Sequence, residues 1–103
     1  MKNNIKLFKI IGDFAENKDA ARILRAEQII PSIKKGDDVI LDFKNVNGAT
    51  QSFIHALISE PIRVFGNIAF EKLLYKNANE DIQAIISIVY RYMQESMDQS
   101  GEG

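Results

Sequence analysis

The chain has 103 residues, of which 46% are hydrophobic and 26% are charged, and its formal net charge is −1. This length and composition predict one globular domain, which we place at residues 1–97, and a flexible polar tail at residues 98–103. The balanced charge argues against nucleic acid and against acidic membrane surfaces as partners.

The lack of cysteine excludes disulfides, thiolate catalysis and cysteine-ligated zinc, and we expect neither a metal nor a cofactor. No apolar run approaches the roughly 20 residues that cross a bilayer, and the start of the chain has no signal-peptide pattern. We therefore expect a cytoplasmic protein that makes no membrane contact.

The first predicted element is a strand over residues 4–11, where β-branched and aromatic residues partly alternate with polar ones. A helix follows over residues 18–35, because apolar residues recur there at helical spacing. Pro31 should end or kink this helix, since proline cannot donate a backbone hydrogen bond. Gly36 is well suited to the exit from the helix.

Residues 39–43 (Val-Ile-Leu-Asp-Phe) form the clearest predicted strand. Their apolar run without strict alternation is typical of a strand that is covered on both faces in a parallel sheet. A loop is predicted between Asn45 and Thr50. Thr50 is then the predicted N-cap of a helix over residues 51–65, which Pro61 should kink or split.

A third strand is predicted over residues 68–76, although its leucines and lysines would also suit a helix. Asn79 should cap a last helix, whose apolar stripe runs from Ile82 to Met93. The order β-α-β-α-β-α predicts a small α/β domain, with a three- to four-stranded, mostly parallel or mixed sheet and helices packed on it.

One set of residues resembles a known family. They are Arg22, Leu41, Asp42, Phe43, Val46, Ser52 and Phe53. A Leu-Asp-Phe strand, a following Val and a Ser-Phe pair that opens the next helix resemble the bacterial STAS-like domain family of unknown function. The resemblance extends from residue 5 to about residue 95, and more distantly it includes the anti-sigma factor antagonists.

The resemblance implies a partner and a switch. In anti-sigma factor antagonists, a partner ATPase phosphorylates a serine at the tip of the helix that follows the Asp strand, and the added charge disrupts the complex. The partner implied here is a histidine-kinase-type ATPase. Gln51 occupies the usual acceptor position and cannot be phosphorylated, which leaves Thr50 and Ser52 as the candidate phosphorylation sites.

The leading hypothesis is a non-catalytic regulatory module that binds another protein. The predicted contact residues are Asn47, Gly48, Thr50, Gln51, Ser52 and His55. Ordinary turn and capping chemistry would explain the same loop without any partner. Asp42 is expected either to cap the neighbouring loop or to pair with Arg22.

An alternative hypothesis is a sensor of a small ligand or nucleotide, because the free amides near Thr50–Ser52 could hold an anion. The hypothesis that the chain is an enzyme is the least favoured. His55 is the only histidine, and no nucleophile pattern accompanies it, so we predict no catalytic residues. A homodimer through the last helix or a sheet edge is compatible with each hypothesis.

Overall fold

The computed structural model describes the backbone of residues 1–102 and the side chains of residues 1–95. Its strands are β1 (Lys2–Lys6), β2 (Phe14–Ala15), β3 (Asp38–Asp42), β4 (Gly48–Ala49) and β5 (Leu73–Lys76). Its helices are α1 (Phe8–Ile11), α2 (Lys18–Leu24), α3 (Ile30–Lys34), α4 (Gln51–Phe65), α5 (Asn67–Lys72) and α6 (Glu80–Glu102), and a π-helical turn (Arg25–Ile29) joins α2 to α3. The side chains of the predicted tail, residues 98–103, lie outside the described part, so the tail stays a prediction.

The main sheet has three parallel strands in the order β1-β3-β5. Its central strand, β3, pairs Leu41 with Ile5 of β1 and with Tyr75 of β5. A second sheet joins β2 to β4, also in parallel. The predicted α/β class and the mostly parallel sheet are therefore confirmed.

Helices cover only one face of the main sheet. Val39 and Leu41 point into the core and are fully buried, whereas Ile40 points to the other face and is only half-buried. In the register, Ile40 lies between Asn4 of β1 and Leu74 of β5, which are both exposed. The prediction that this strand is covered on both faces is wrong, because no helix of the described residues packs on that face and its neighbours there remain exposed.

The first strand is shorter than predicted. The Leu7 amide makes the last hydrogen bond to β3, to the Asp42 carbonyl at 3.0 Å. The Leu7 carbonyl then accepts from the Ile10 and Ile11 amides at 2.9 Å, which starts α1. The strand predicted over residues 4–11 therefore ends at Lys6, because β3 itself ends there and offers no partner further on.

The third strand is also half as long as predicted, since the first part of residues 68–76 belongs to α5. β5 pairs with Val39 to Asp42 of β3. α5 buries Ala69 against the core, and leucine and lysine have high helix propensity. The pairing available on β3, rather than strand propensity, decides where the strand begins.

Neither proline ends its helix. The Ile30 amide bonds to the Arg25 carbonyl in a π-type bond, and Pro31 then stands at the start of α3, where its missing N–H costs no helical bond. Helical backbone continues from Lys18 to Lys34, which confirms the helix predicted over residues 18–35, and Pro31 does not end it. Pro61 lies inside α4, which runs unsplit to Phe65.

α4 is the central helix of the core. It packs against α2, the π-helical turn, α5 and α6, and its apolar side chains at Phe53, Ile54, Leu57 and Ile62 are buried. Each such aliphatic or aromatic side chain stabilises the fold by about 1.5–3 kcal/mol relative to an exposed position. Within the part of the chain that is described, no helix is both long enough and apolar enough to span a membrane.

Candidate functional site

The first turn of α4 is held in place by the residues that lead into it. The Thr50 hydroxyl accepts a 3.1 Å hydrogen bond from the Phe53 amide, so Thr50 is the N-cap, as predicted. The Thr50 amide donates to the Ala15 carbonyl at 2.9 Å. Part of the loop predicted from Asn45 to Thr50 is therefore a short strand, β4, which is tied to β2.

A second set of bonds ties this loop to the start of α6. The Asn47 amide donates to the Asp13 carbonyl at 2.7 Å, and the Asn47 carbonyl accepts from the Asn79 side chain at 2.7 Å. The Asn79 side chain also accepts from the Ile82 amide at 2.9 Å, which confirms it as a cap. The approach to α4 is thus held from two sides.

The predicted contact residues lie together at this end of α4 but differ in access. Asn47, Gln51 and Ser52 are exposed. Gly48, Thr50 and His55 are partly buried. Gly48 serves packing, because a Cβ at this position would come within 2.9 Å of the Phe14 ring. The side chains that another molecule could contact most readily are those of Asn47, Gln51 and Ser52.

Next to this turn lies a groove of about 680 Å³ between α2, α4 and α6, which we call the helix groove. The residues that line it are Lys18, Arg22, Arg25, Gln51, Ser52, His55, Ala56, Ser59, Glu60, Arg63, Val89 and Tyr92. Four of them are basic and one is acidic. The groove therefore presents positive charge beside the positive end of the α4 dipole.

The arginines of the helix groove are already engaged with the protein. Arg22 forms an ion pair with Asp19 at 3.0 Å, and Arg63 forms one with Glu60 at 3.0 Å. Arg25 donates to the Ala56 carbonyl at 3.3 Å. These bonds hold the guanidinium groups against α2 and α4, so the arginines give the groove its shape as well as its charge.

The far wall of the groove is aromatic. The rings of His55 and Tyr92 meet edge to face, with their centroids 6.2 Å apart. The side chain of Tyr92 remains 62% exposed, although an aromatic residue of this size is usually covered when it serves only packing. Tyr92 is therefore available to a partner that enters the groove.

Four of the residues that carry the family resemblance belong to the core. Leu41, Phe43, Val46 and Phe53 are buried in the core. Their packing accounts for the strand, the turn and the helix start that make up the pattern.

Asp42 caps the loop that follows β3, which is one of its two expected roles. Its carboxylate accepts from the Lys44 amide at 3.0 Å and from the Asn77 side chain at 2.9 Å. The bond from Asn77 and then that from Lys44 hold the pKa of this carboxyl below its usual range. The expected pairing of Asp42 with Arg22 is not formed, because Arg22 lies on α2 and bonds to Asp19.

The basic and aromatic lining of the groove is not evident from local patterns in the sequence. Lys18, Arg25, Arg63 and Tyr92 come from separate elements, and only the packing of α2 and α6 against α4 brings them together. A spacing signal exists within α4, where Ser52, His55, Ser59 and Arg63 recur at intervals of three and four and so share one helix face.

No group of three or more His, Cys, Asp or Glu side chains that could hold a metal ion is found among the described residues. The site itself is built from backbone amides at a helix start, hydroxyl and amide side chains, guanidinium groups and two aromatic rings. Such groups can bind carboxylates, phosphates and aromatic surfaces.

A three-stranded parallel sheet, with its central strand leading into a capped and exposed helix start, defines this chain as an α/β domain of STAS-like architecture. The family model of the STAS-like domain of unknown function (DUF4325) matches residues 19–83, which is more than half of the chain. The chain belongs to this family. No curated protein matches the chain, and no solved structure matches it.

Proposed function

We propose that this chain is a non-catalytic regulatory module that binds another protein through the first turn of α4 and the adjoining helix groove. The observation that carries the proposal is the contrast within that turn. Gln51 and Ser52 are exposed, while Ala49 before them and Phe53 after them are buried. A contact surface that is already ordered loses less entropy on binding than a mobile loop would.

The composition of the helix groove supports a protein partner. Arginine and tyrosine are the residue types that most often dominate the binding energy of protein interfaces. Arg25, Arg63 and Tyr92 line one continuous surface here, and the arginines are held by bonds of about 3 Å within the protein. Their side chains are therefore oriented along the groove before a partner covers them.

A histidine-kinase-type ATPase is the partner that the family resemblance favours. In the regulatory switch of the anti-sigma factor antagonists, the acceptor serine stands where this chain has Gln51. Ser52 is the better candidate acceptor of the two neighbouring hydroxyls, because it is exposed. The Thr50 hydroxyl is partly buried and caps α4.

The proposal is tested by the affinity of the full chain for a histidine-kinase-type ATPase domain from the same genome, measured by calorimetry for wild type and for Ser52→Glu. The new carboxylate adds charge and bulk to the contact surface, and we expect binding to weaken by about tenfold or more. A carboxylate in the first turn of a helix is favourable for folding, so the variant should remain folded.

Ser87→Glu is the matched control, because Ser87 is an exposed serine on α6 that does not line the helix groove. It should bind as wild type does. Equal loss of affinity in both variants would assign the effect to net charge, and unchanged affinity in Ser52→Glu would move the contact away from α4.

A second candidate function, the sensing of a small ligand or nucleotide at Thr50–Ser52, draws on the size of the helix groove. Its volume of about 680 Å³ falls within the range of small-molecule sites, which is roughly 300–1,000 Å³. A ligand that binds there would raise the melting temperature by mass action, and Ser52→Glu would abolish the rise.

A homodimer through the last helix or a sheet edge is compatible with this proposal. β1 and β5 are the edge strands of the main sheet within the described residues, and edge strands can pair with a second chain. The molar mass of the purified chain, measured by light scattering over a range of concentrations, tests this.

A further inference from the structure

The carboxyl ends of the three strands of the main sheet bring two lysines next to Asp42. β1 ends at Lys6, β3 at Asp42 and β5 at Lys76, and the register pairs Lys6 with Asp42 and Asp42 with Lys76. Because side chains alternate along a strand and Leu41 points into the core, these three point to the face without helices.

These residues line a depression of about 670 Å³, which we call the lysine depression. Lys9 of α1 and Lys44, which follows β3, also line it, so four lysines and one carboxylate border the same depression. The chain as a whole has a net charge of −1. The lysine depression is therefore a strong local departure from the charge of the molecule.

The single negative charge of Asp42 leaves the lysine depression, with its four lysines, with a net positive charge. Within the side chains of residues 1–95, Lys6, Lys9, Lys44 and Lys76 form no ion pair. All four are exposed. Asp42 is buried, and its carboxylate oxygen accepts from Asn77 and Lys44. The lysine ammonium groups are left for an anion from solution.

An aromatic ring completes the lysine depression. Phe8, the first residue of α1, lines it and is 42% exposed. A phenyl ring beside several cations is a surface on which a flat ring can stack while an attached anion meets the charges. The depression lies outside the carboxyl ends of the parallel strands, where β1, β3 and β5 each end.

We propose that the lysine depression binds a nucleotide, with its phosphates held by Lys6, Lys44 and Lys76 and its base stacked on Phe8. The arginines of the helix groove are engaged with their own neighbours, whereas these lysines are not. This site lies outside the protein-contact surface proposed for α4, and the two can succeed or fail separately.

The test is a calorimetric titration of the full chain alone with ATP and, separately, with inorganic pyrophosphate. Both should bind at a single site, and higher salt should weaken both, since exposed charges are screened. In the double variant Lys6→Gln/Lys76→Gln we expect both affinities to fall about fivefold or more, because each exposed charge contact that is lost weakens binding severalfold at most.

Lys34→Gln/Lys35→Gln is the matched control. It removes the same charge from two exposed lysines that precede the amino end of β3, whereas the depression lies at the carboxyl ends of the strands. It should bind both probes as wild type does. An equal loss in this control would show that the anion follows net charge alone, which would overturn the proposal. Lack of saturable binding of both probes by wild type would also overturn it.

Phe8→Ala distinguishes the contribution of the base to binding from that of the phosphates. It should weaken ATP about fivefold or more relative to pyrophosphate, since stacking of a base on an aromatic side chain contributes about 1–3 kcal/mol. Pyrophosphate serves as the internal control for any change in folding. An equal effect on both probes would contradict the stacking and with it the assignment to a nucleotide.

Discussion

The helix groove and the lysine depression are similar in volume and charge but are built in different ways. The groove has arginines that are bonded to Asp19, Glu60 and the Ala56 carbonyl. The depression has lysines without ion pairs among the described side chains, around one buried carboxylate. Arginines bonded to neighbouring groups give the surface a defined shape, whereas unbonded ammonium groups are free to follow an anion. The first arrangement suits a folded protein partner, and the second suits a small mobile anion.

The largest effect on stability should come from the floor of the lysine depression. Asn77→Gly removes a hydrogen bond to the buried Asp42 carboxylate and should lower the free energy of unfolding by about 1–3 kcal/mol. Glycine suits the backbone, since the φ of Asn77 is 59°. Urea denaturation of the wild type and variant measures the difference.

Asn45→Gly is the control for this change. Asn45 is exposed and also has a positive φ, of 69°, so the same substitution is made in the same backbone region. We expect a change within about 0.5 kcal/mol. An equal loss at both positions would mean that the carboxylate does not depend on Asn77.

The next largest effect on the free energy of unfolding should come from the loss of the N-cap of α4, beside the helix groove. Thr50→Ala removes the acceptor of the Phe53 amide and should cost about 1 kcal/mol. Ser52→Ala, in the same turn but exposed, should be close to neutral. If thermal melts showed equal stability for both variants, the first turn of α4 would not be held as described.

Acid should remove the stability that Asp42 contributes at the lysine depression. The bonds from Asn77 and Lys44 lower the pKa of Asp42 from its ordinary value of 3.8. Asp42 therefore stabilises the fold fully above that value, and this contribution is lost as the pH falls through the lower pKa of the folded state. Urea melts at a series of acidic pH values should show this loss in wild type and a smaller one in Asn77→Gly. An unchanged slope in the variant would assign the acid sensitivity to other carboxylates.

The smallest effect should come from a surface pair of the helix groove. A double-mutant cycle on Arg63→Ala and Glu60→Ala should give a coupling energy of about 0.2–1 kcal/mol, because both side chains are partly exposed to water. Urea denaturation of the four proteins measures it. A coupling well above this range would mean that the arginine is bound more rigidly than an exposed pair allows.

Local signals in the sequence were enough to predict several elements. The strand at residues 39–43, the caps at Thr50 and Asn79 and the family pattern each depend on neighbouring residues. The ends of β1 and β5 were missed, because they depend on where β3 offers a partner. The pairing of β2 with β4 was missed as well, since strands of two residues carry no periodic signal.

The lysine depression was missed for the same reason as the strand ends. Lys6 was placed in the middle of a strand that was predicted to run to residue 11, so its position beside Asp42 could not be seen. Once the strands are given their observed ends, the parallel register alone brings Lys6, Asp42 and Lys76 together. In contrast, the part of the candidate site at the first turn of α4 can be predicted directly from the residues between Asn47 and His55.

The most direct test of the division between the two regions is a pair of amide NMR titrations of the same labelled chain. The histidine-kinase-type ATPase domain should shift the signals of Gln51, Ser52 and their neighbours in the helix groove. ATP should shift those of Phe8, Lys44 and Asn77 around the lysine depression. If both additions perturbed the same residues, or if the ATPase domain left Gln51 and Ser52 unchanged, the assignment of separate roles to the two regions would be wrong.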